Sequence, residues 1–196
     1  MRLSIKTNFP EVQRKLDTLR GDVATQVTAR ALNKAIEQAR TQMSKEIRAE
    51  YVVTATYVRE RLRIKKASMY GAGLMLEAYL DAQDKPRSAN LIRFTAKQTA
   101  LGVTVKIKRT GGRKSLPGAF IGNKGRTVFT RVPGTRMKSR KKANAHGQQI
   151  RPLQTIDVAQ MFNARRINAA VVAALQAKFP AIFERELAYA MSRFSR

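Results

Sequence analysis

Residues 136–147 read RMKSRKKANAHG and concentrate the side chains most able to do chemistry. Five of the seven positions from 136 to 142 are Lys or Arg, and the chain's only histidine, His146, follows them. Cations at this density can bind phosphates, and an imidazole can act as a general base. Gly, Asn and Ala flank His146 and no acidic residue lies near it to orient the ring. We therefore interpret His146 as a surface imidazole rather than a catalytic base.

Other catalytic or metal-binding patterns are weak. One histidine and no cysteine argue against a zinc–thiolate site, a disulfide framework and a Ser-His-Asp triad. Glu184 and Glu186 fall in a predicted C-terminal helix beside Arg185, an arrangement that favours surface ion pairs. The glycines at 70–73 and at Gly111-Gly112 lack the spacing of a phosphate-binding loop. The sequence predicts a protein that is not an enzyme and that needs no cofactor or metal.

Charge is distributed very unevenly along the chain. Its 196 residues include 39 Lys or Arg and 13 Asp or Glu, a formal net charge of +26. Residues 1–50 are ordinary, with ten basic and six acidic residues, whereas residues 85–156 contain eighteen basic residues and no acidic one. Because like charges repel, a solvated face usually mixes signs. A one-sign segment favours a polyanion, and less strongly an acidic protein surface, as its partner.

The basic residues form three groups. The first is Arg59, Arg61, Arg63, Lys65 and Lys66; the second is Lys106, Lys108, Arg109, Arg113 and Lys114; the third is Arg136, Lys138, Arg140, Lys141 and Lys142. Together they indicate a phosphate-facing surface. The nearby aromatic residues Tyr57, Phe120 and Phe129 alternate with polar positions and are assigned mostly to the core, so base stacking is not favoured. Without a recognition-helix pattern, sequence-blind electrostatics is the expected mode of binding.

Periodicity in the first half predicts a strand, then helices. Leu3 and Ile5 alternate as in a strand, and Asn8-Phe9-Pro10 is typical of a helix start. Apolar residues then recur at three- and four-residue steps over 22–50, which predicts one long amphipathic helix. Its stripe comprises Val23, Val27, Ala31, Leu32, Ile36, Ala39, Met43 and Ile47. A shorter helix is expected over 56–62, running into RIKKAS.

The second half predicts strands followed by helices. Leu74, Leu76 and Leu80 suit one strand, and Val103, Val105 and Ile107 alternate with polar residues in another. A hairpin is expected from 119–121 and 127–132 across the turn at 122–125, because Gly and Asn there can adopt positive φ.

The C-terminal segment completes the fold prediction. Leu153, Ile156 and Val158 suit a last strand, and two helical stripes follow, one on each side of Pro180. The fold class is α+β, a long N-terminal helix on a mostly antiparallel sheet with C-terminal helices. We expect a single domain over 1–196 with a flexible basic loop near 134–149.

The order of these features resembles the minor tail protein Z family, the lambda-type tail completion proteins of tailed bacteriophages. The resemblance is carried by ARALNKAIEQARTQMSKEI (29–47), YVRERLRIKKAS (57–68), the acid-free middle, PGAFI (117–121), VFTRV (128–132) and PLQTIDV (152–158). It covers nearly the whole chain, most clearly 25–68 and 116–190.

The resemblance implies a structural virion protein at the head-proximal end of the tail, assembled in the host cytoplasm. It implies a homo-oligomeric ring, expected to be sixfold, around the DNA channel. The implied partners are other copies of the chain, neighbouring tail-terminator, tail-tube or neck proteins, and genomic DNA bound without sequence preference; no membrane is involved. Arg59, Arg61 and Arg63 become candidates for the subunit interface, and the basic loop for the channel or an acidic neighbour.

A second reading stays open from the sequence. A net charge of +26 also suits a sequence-nonspecific nucleic-acid-binding protein of the ribosomal or nucleoid kind. The two readings differ in oligomeric state, since the tail protein is expected to form rings and the nucleic-acid-binding protein is expected to be a monomer.

Overall fold

The structure, a computed structural model, describes residues 2–5, 21–68, 77–82, 88–136 and 147–194. Its helices are α1 (Gly21–Glu50), α2 (Ala55–Arg61), α3 (Val158–Phe162) and α4 (Arg165–Phe194). Its strands are β1 (Arg2–Ile5), β2 (Leu62–Lys65), β3 (Ala78–Ala82), β4 (Ala89–Asn90), β5 (Lys97–Thr99), β6 (Gly102–Val105), β7 (Lys114–Pro117), β8 (Ala119–Gly122), β9 (Thr127–Arg131), β10 (Ile150–Pro152) and β11 (Gln154–Thr155). The α+β class is confirmed. All described strand pairs are antiparallel, and they form four small sheets rather than one.

The chain divides into two compact units. The first comprises Met1–Ile47, Thr56–Asp84 and Ala159–Arg196, and the second comprises Arg48–Ala55 and Lys85–Val158. The acid-free segment 85–156 therefore falls in the second unit. The predicted helix start at 8–10, the strand positions Leu74 and Leu76, and most of the predicted basic loop lie outside the described residues.

In the first unit, α1 confirms the predicted amphipathic helix. Its apolar stripe is buried, and Ile36, Met43 and Ile47 are fully enclosed. Two reciprocal hydrogen bonds fix its polar side to the chain after β2: Asn33 Nδ2 donates to the Ala67 carbonyl at 3.1 Å, and the Ala67 N–H donates to Asn33 Oδ1 at 2.7 Å. Because these bonds satisfy a partly buried amide, they hold the polar side of α1 in place.

The first unit also contains the sheet β1-β3-β2. β3 pairs with both neighbours, so that Leu80 lies between Leu3 and Ile64. The strand at 2–5 confirms the prediction from Leu3 and Ile5. β2 was not predicted, because its sequence LRIK reads equally well as the end of a helix. Ala78, Leu80 and Ala82 of β3 are buried and alternate with half-buried residues, so one face of this sheet packs against the core.

Helix α4 corrects the prediction of two C-terminal helices separated at Pro180. It continues through Pro180 to Phe194. A proline inside a helix removes a hydrogen bond and strains the preceding turn at a cost of about 3 kcal/mol. Phe179 and Phe183 are buried on either side of Pro180, with their ring centroids 6.5 Å apart, and this burial offsets the cost.

By length and hydropathy α4 could also cross a bilayer, a criterion that core helices of soluble proteins meet as well. It contains the buried carboxylate Glu186, which pairs with Lys34 of α1. The ion pair ties α4 to the polar side of α1 within the first unit.

The second unit is built from the remaining three sheets, β10-β9-β8, β5-β6-β7 and β11-β4. The predicted hairpin is confirmed as β8 and β9, and φ is positive at Asn123, Lys124 and Gly125 in its turn. One apolar cluster fills this unit; its buried members are Leu91, Val103, Val105, Ala119 and Val128. Asn90 ties β4 to β9, because its Oδ1 accepts from the Val128 N–H at 2.9 Å and its Nδ2 donates to the Val128 carbonyl at 3.2 Å.

The predicted last strand is partly wrong. Gln154 and Thr155 form β11, but Val158 begins helix α3. Val158, Met161 and Phe162 are buried at helical spacing, which favours a helix over a strand, and Asp157 Oδ1 accepts a hydrogen bond from the Val158 N–H at 2.7 Å. Met161 and Phe162 also belong to α3, so they precede α4 instead of opening it.

Candidate functional site

Two residues of the second basic group lie at the C-terminal end of α1. The Arg109 N–H donates to the Glu50 carbonyl at 2.9 Å, and Arg109 Nε donates to the Arg48 carbonyl at 2.6 Å. Lys108 Nζ lies 3.9 Å from a Glu50 carboxylate oxygen and 6.0 Å from the centre of the Tyr51 ring. Because the last carbonyls of a helix lack partners within it and carry partial negative charge, both cations are placed to stabilise the helix end.

Arg113, Lys106 and the unpredicted Lys97 share the outward face of the sheet β5-β6-β7. Register aligns Lys97 with Thr104, and Arg113 Nη2 donates to the Thr104 carbonyl at 3.0 Å and to the Thr95 carbonyl at 2.7 Å. Lys106 follows β6, and its neighbours Val105 and Ile107 pack in the apolar cluster, so Lys106 points to the same side as Thr104. Lys114 is exposed at the edge strand, in register with Val105 and so on the opposite side of the sheet. The second group is thus divided among three places.

The third basic group is described only at its first member. Arg136 is exposed, and its carbonyl accepts a hydrogen bond from Gln149 Nε2 at 3.4 Å. Lys138, Arg140, Lys141, Lys142 and His146 lie outside the described residues. The nearby chain returns through Gln149, whose carbonyl accepts from the Val132 N–H at 2.9 Å. Residues 132 and 149 therefore close the base of the segment that contains the basic cluster.

The first basic group is positioned by α2 and β2. Arg59 is exposed on α2, and Arg61 lies 5.3 Å from the centre of the buried Tyr57 ring. In β2, Arg63 is in register with Asp81 of β3. Opposite charges at directly facing positions favour this register of β2 against β3.

Lys65 and Lys66 complete this group and are both exposed. Lys66 Nζ lies 2.8 Å from a Glu37 carboxylate oxygen, an exposed pair of little energetic weight. Among the three residues proposed for the interface, Arg59 and Arg63 are exposed, and Arg61 contacts the Tyr57 ring.

The aromatic residues depart from the prediction at two positions. Tyr57 is buried as expected, but Phe120 and Phe129 are only half-buried and lie stacked with ring centroids 5.8 Å apart. Ala119 and Val128, their neighbours along β8 and β9, point to the core. Because side chains alternate along a strand, Phe120 and Phe129, which face each other in register, lie on the outer face. The Arg131 guanidinium lies 4.7 Å from the centre of the Phe120 ring.

Further exposed cations were missed because they stand alone in the sequence. Lys124 and Arg126 lie in the exposed turn between β8 and β9, and Lys97 lies on β5. Only the absence of acidic residues over 85–156 signals them in the sequence. Within the described residues no group of three His, Cys, Asp or Glu side chains is placed to hold a metal ion.

Comparison with known proteins gave one match. A family model described as prophage minor tail protein Z (GPZ) matches residues 10–196. No curated protein and no solved structure matches the chain. The match covers both compact units, so neither is an addition outside the family's extent.

Proposed function

The chain belongs to the prophage minor tail protein Z family and is a structural protein of the phage tail, and from this we propose that it completes the head-proximal end of the tail and flanks the DNA channel there. In this proposal the chain forms a closed ring of identical subunits. It contacts neighbouring tail or neck proteins and the passing genome, and it performs no catalysis.

The observation that carries the proposal is the acid-free segment 85–156, which falls in the second unit. Residues 85–156 supply eighteen cations and no carboxylate, and the described ones cover several faces: Lys97 and Lys106 on one side of a sheet, Lys114 at its edge, and Lys124 at a turn. A surface of this kind attracts a polyanion from many directions without selecting a base sequence. That suits a conduit through which DNA of every sequence must pass.

The subunit interface in this proposal uses the first basic group. Arg59, Arg61 and Arg63 lie within the first unit, whose charge is closer to balanced than that of the second. Two carboxylates near the end of α1, Glu46 and Glu50, could meet them from a neighbouring subunit, but both have partners in their own chain: Gln42 Nε2 donates to Glu46 at 2.7 Å, and Glu50 faces Lys108. We therefore look to other carboxylates for the interface.

The experiment that tests the proposal is complementation of a phage lacking this protein. Wild-type chain is expected to restore head–tail joining and to remain in purified particles. Tails that join heads without the chain would overturn the proposal.

The nucleic-acid-binding alternative keeps one structural argument. Phe120, Phe129 and Arg131 form a half-exposed stack, and such side chains can pack on nucleobases. Sedimentation of the purified chain separates the two readings, because the alternative expects a monomer with high affinity for RNA and the tail reading expects rings.

A further inference from the structure

A groove runs along the polar side of α1 in the first unit. It has a volume of about 610 Å³ and is lined by Glu37, Arg40, Thr41, Arg59, Ile64 and Lys66. Three of these residues come from α1 at spacings of three and four, so they share one face of that helix. The others come from α2, β2 and the residue after β2, and the groove is therefore walled by regular structure.

The charges in this groove are unevenly matched. Glu37 pairs with Lys66, their closest atoms lying 2.8 Å apart. Among the described residues, no carboxylate lies within ion-pair distance of Arg40 or Arg59. The groove therefore holds one ion pair, Glu37 with Lys66, and two guanidinium groups, Arg40 of α1 and Arg59 of α2, that have no carboxylate partner among the described residues.

Arg40 is the unusual member. It is half-buried, its Nη2 donates to the Arg59 carbonyl at 3.3 Å, and its Nε is buried with no hydrogen-bond partner among the described residues. Buried cations in proteins are normally paired and hydrogen-bonded, because removing them from water is costly. The guanidinium is held in place by a backbone acceptor while one of its donors has none.

We propose that this groove binds a carboxylate side chain from an acidic segment of a partner protein, with Arg59 and Arg40 as the receiving pair. A guanidinium presents donors in a planar fork that matches a carboxylate. The groove is concave, so a single side chain can enter it more easily than the phosphates on the convex surface of a DNA duplex. Glu37 in its lining also repels a row of phosphates more than it repels one carboxylate.

The inference rests on the proposed function only for the identity of the protein that supplies the carboxylate, since a tail protein is expected to contact other tail proteins. It also separates the two kinds of basic surface on the chain. The second unit meets polyanions through scattered cations, whereas this groove receives one group at a defined position.

The test measures binding of a short fluorescein-labelled peptide of alternating glutamate and serine to the full chain at physiological salt. Arg59→Gln is expected to weaken peptide binding about tenfold, the loss of one charge-assisted contact. This variant keeps the Arg59 carbonyl that accepts from Arg40, so it leaves the fold intact. Arg185→Gln, which removes one exposed arginine of α4 in the same unit, is the charge-matched control and is expected to change the affinity less than twofold.

Two further measurements complete the test. Binding of a short DNA duplex should fall equally in Arg59→Gln and Arg185→Gln, and the Arg40 Nε–Hε resonance should shift when the peptide is added. Equal weakening of peptide binding in both variants, or a larger loss of duplex binding in Arg59→Gln, would overturn the inference. Self-association abolished by Arg59→Gln, with no peptide bound by the wild type, would overturn the inference and leave Arg59 to the subunit interface of the proposed ring. Peptide binding is measured on the purified chain and does not depend on tail assembly. A failed complementation experiment would therefore contradict the proposed function without contradicting the binding of a carboxylate in this groove.

Discussion

Arg109 and Glu50 are joined across the end of helix α1, where the Arg109 N–H donates to the Glu50 carbonyl at 2.9 Å. The Arg109 side chain extends the contact to the Arg48 carbonyl. Arg109, which the sequence assigns to DNA binding, therefore also caps the C-terminal end of α1.

Arg109→Ala is expected to lower the free energy of unfolding by about 1 kcal/mol, because it removes a cation and its donor from the negative end of a helix. Urea denaturation monitored by circular dichroism measures the change. Lys114→Ala, at an exposed edge position, is the control and should lie within about 0.5 kcal/mol of the wild type. Equal effects of the two variants would contradict the capping role.

Ile36→Ala is expected to lower the free energy of unfolding by about 2–5 kcal/mol, since Ile36 is fully buried in the α1 stripe and its truncation leaves a cavity. The melting temperature reports the loss. Gln38→Ala, two residues along and exposed, should leave the melting temperature nearly unchanged. A wild-type melting temperature for Ile36→Ala would mean that the stripe is not part of the core.

Long periodic segments were predictable from the sequence because their pattern is local. The α1 stripe and the β8–β9 hairpin depend on residues a few positions apart, and both are confirmed. The prediction of a helix break at Pro180 was wrong, because the burial of Phe179 and Phe183 outweighs the strain that proline introduces into a helix. β2 was missed because it is stabilised by pairing with β3, which lies far from it along the chain, and a local pattern does not show that pairing.

The site was less predictable, for the same reason. The hydrogen bond from Arg109 to Arg48 spans 61 positions, and that from Arg40 to Arg59 spans 19. Clusters of cations are visible in a sequence, but the carbonyl or carboxylate that each one meets is set by the tertiary fold. Arg40, isolated in the sequence, therefore emerges only from the structure.

Neutralising Arg136, Lys138, Arg140, Lys141 and Lys142 together should lower the slope of log affinity for DNA against log salt by up to about four to five, if each contacts a phosphate. The wild-type binding should be sequence-blind. Neutralising Arg165, Arg166, Lys178, Arg185 and Arg193 of α4 removes the same charge elsewhere and should change the slope less.

An unchanged slope with normal head–tail joining would reduce this cluster to a solvated surface. An unchanged slope with joining lost would point to an acidic protein as its partner. A difference between the two five-residue variants is required for the DNA assignment.

Arg61→Glu is expected to block incorporation into rings and tails while leaving the subunit folded, because the variant places a carboxylate on a surface proposed to meet one. The contact with the Tyr57 ring contributes only about 0.5–1 kcal/mol, so its loss does not unfold the chain. Arg61→Lys keeps the charge and should assemble normally. Normal yields of particles containing Arg61→Glu would contradict an interface at this residue.

The position of the chain in purified virions tests the central claim most directly. Electron cryomicroscopy of tails carrying the wild-type chain is expected to show it as a closed ring at the head-proximal end, with cations of the segment 85–156 facing the DNA channel. Density for the chain at the distal tip, or its absence from tails that join heads normally, would contradict the account.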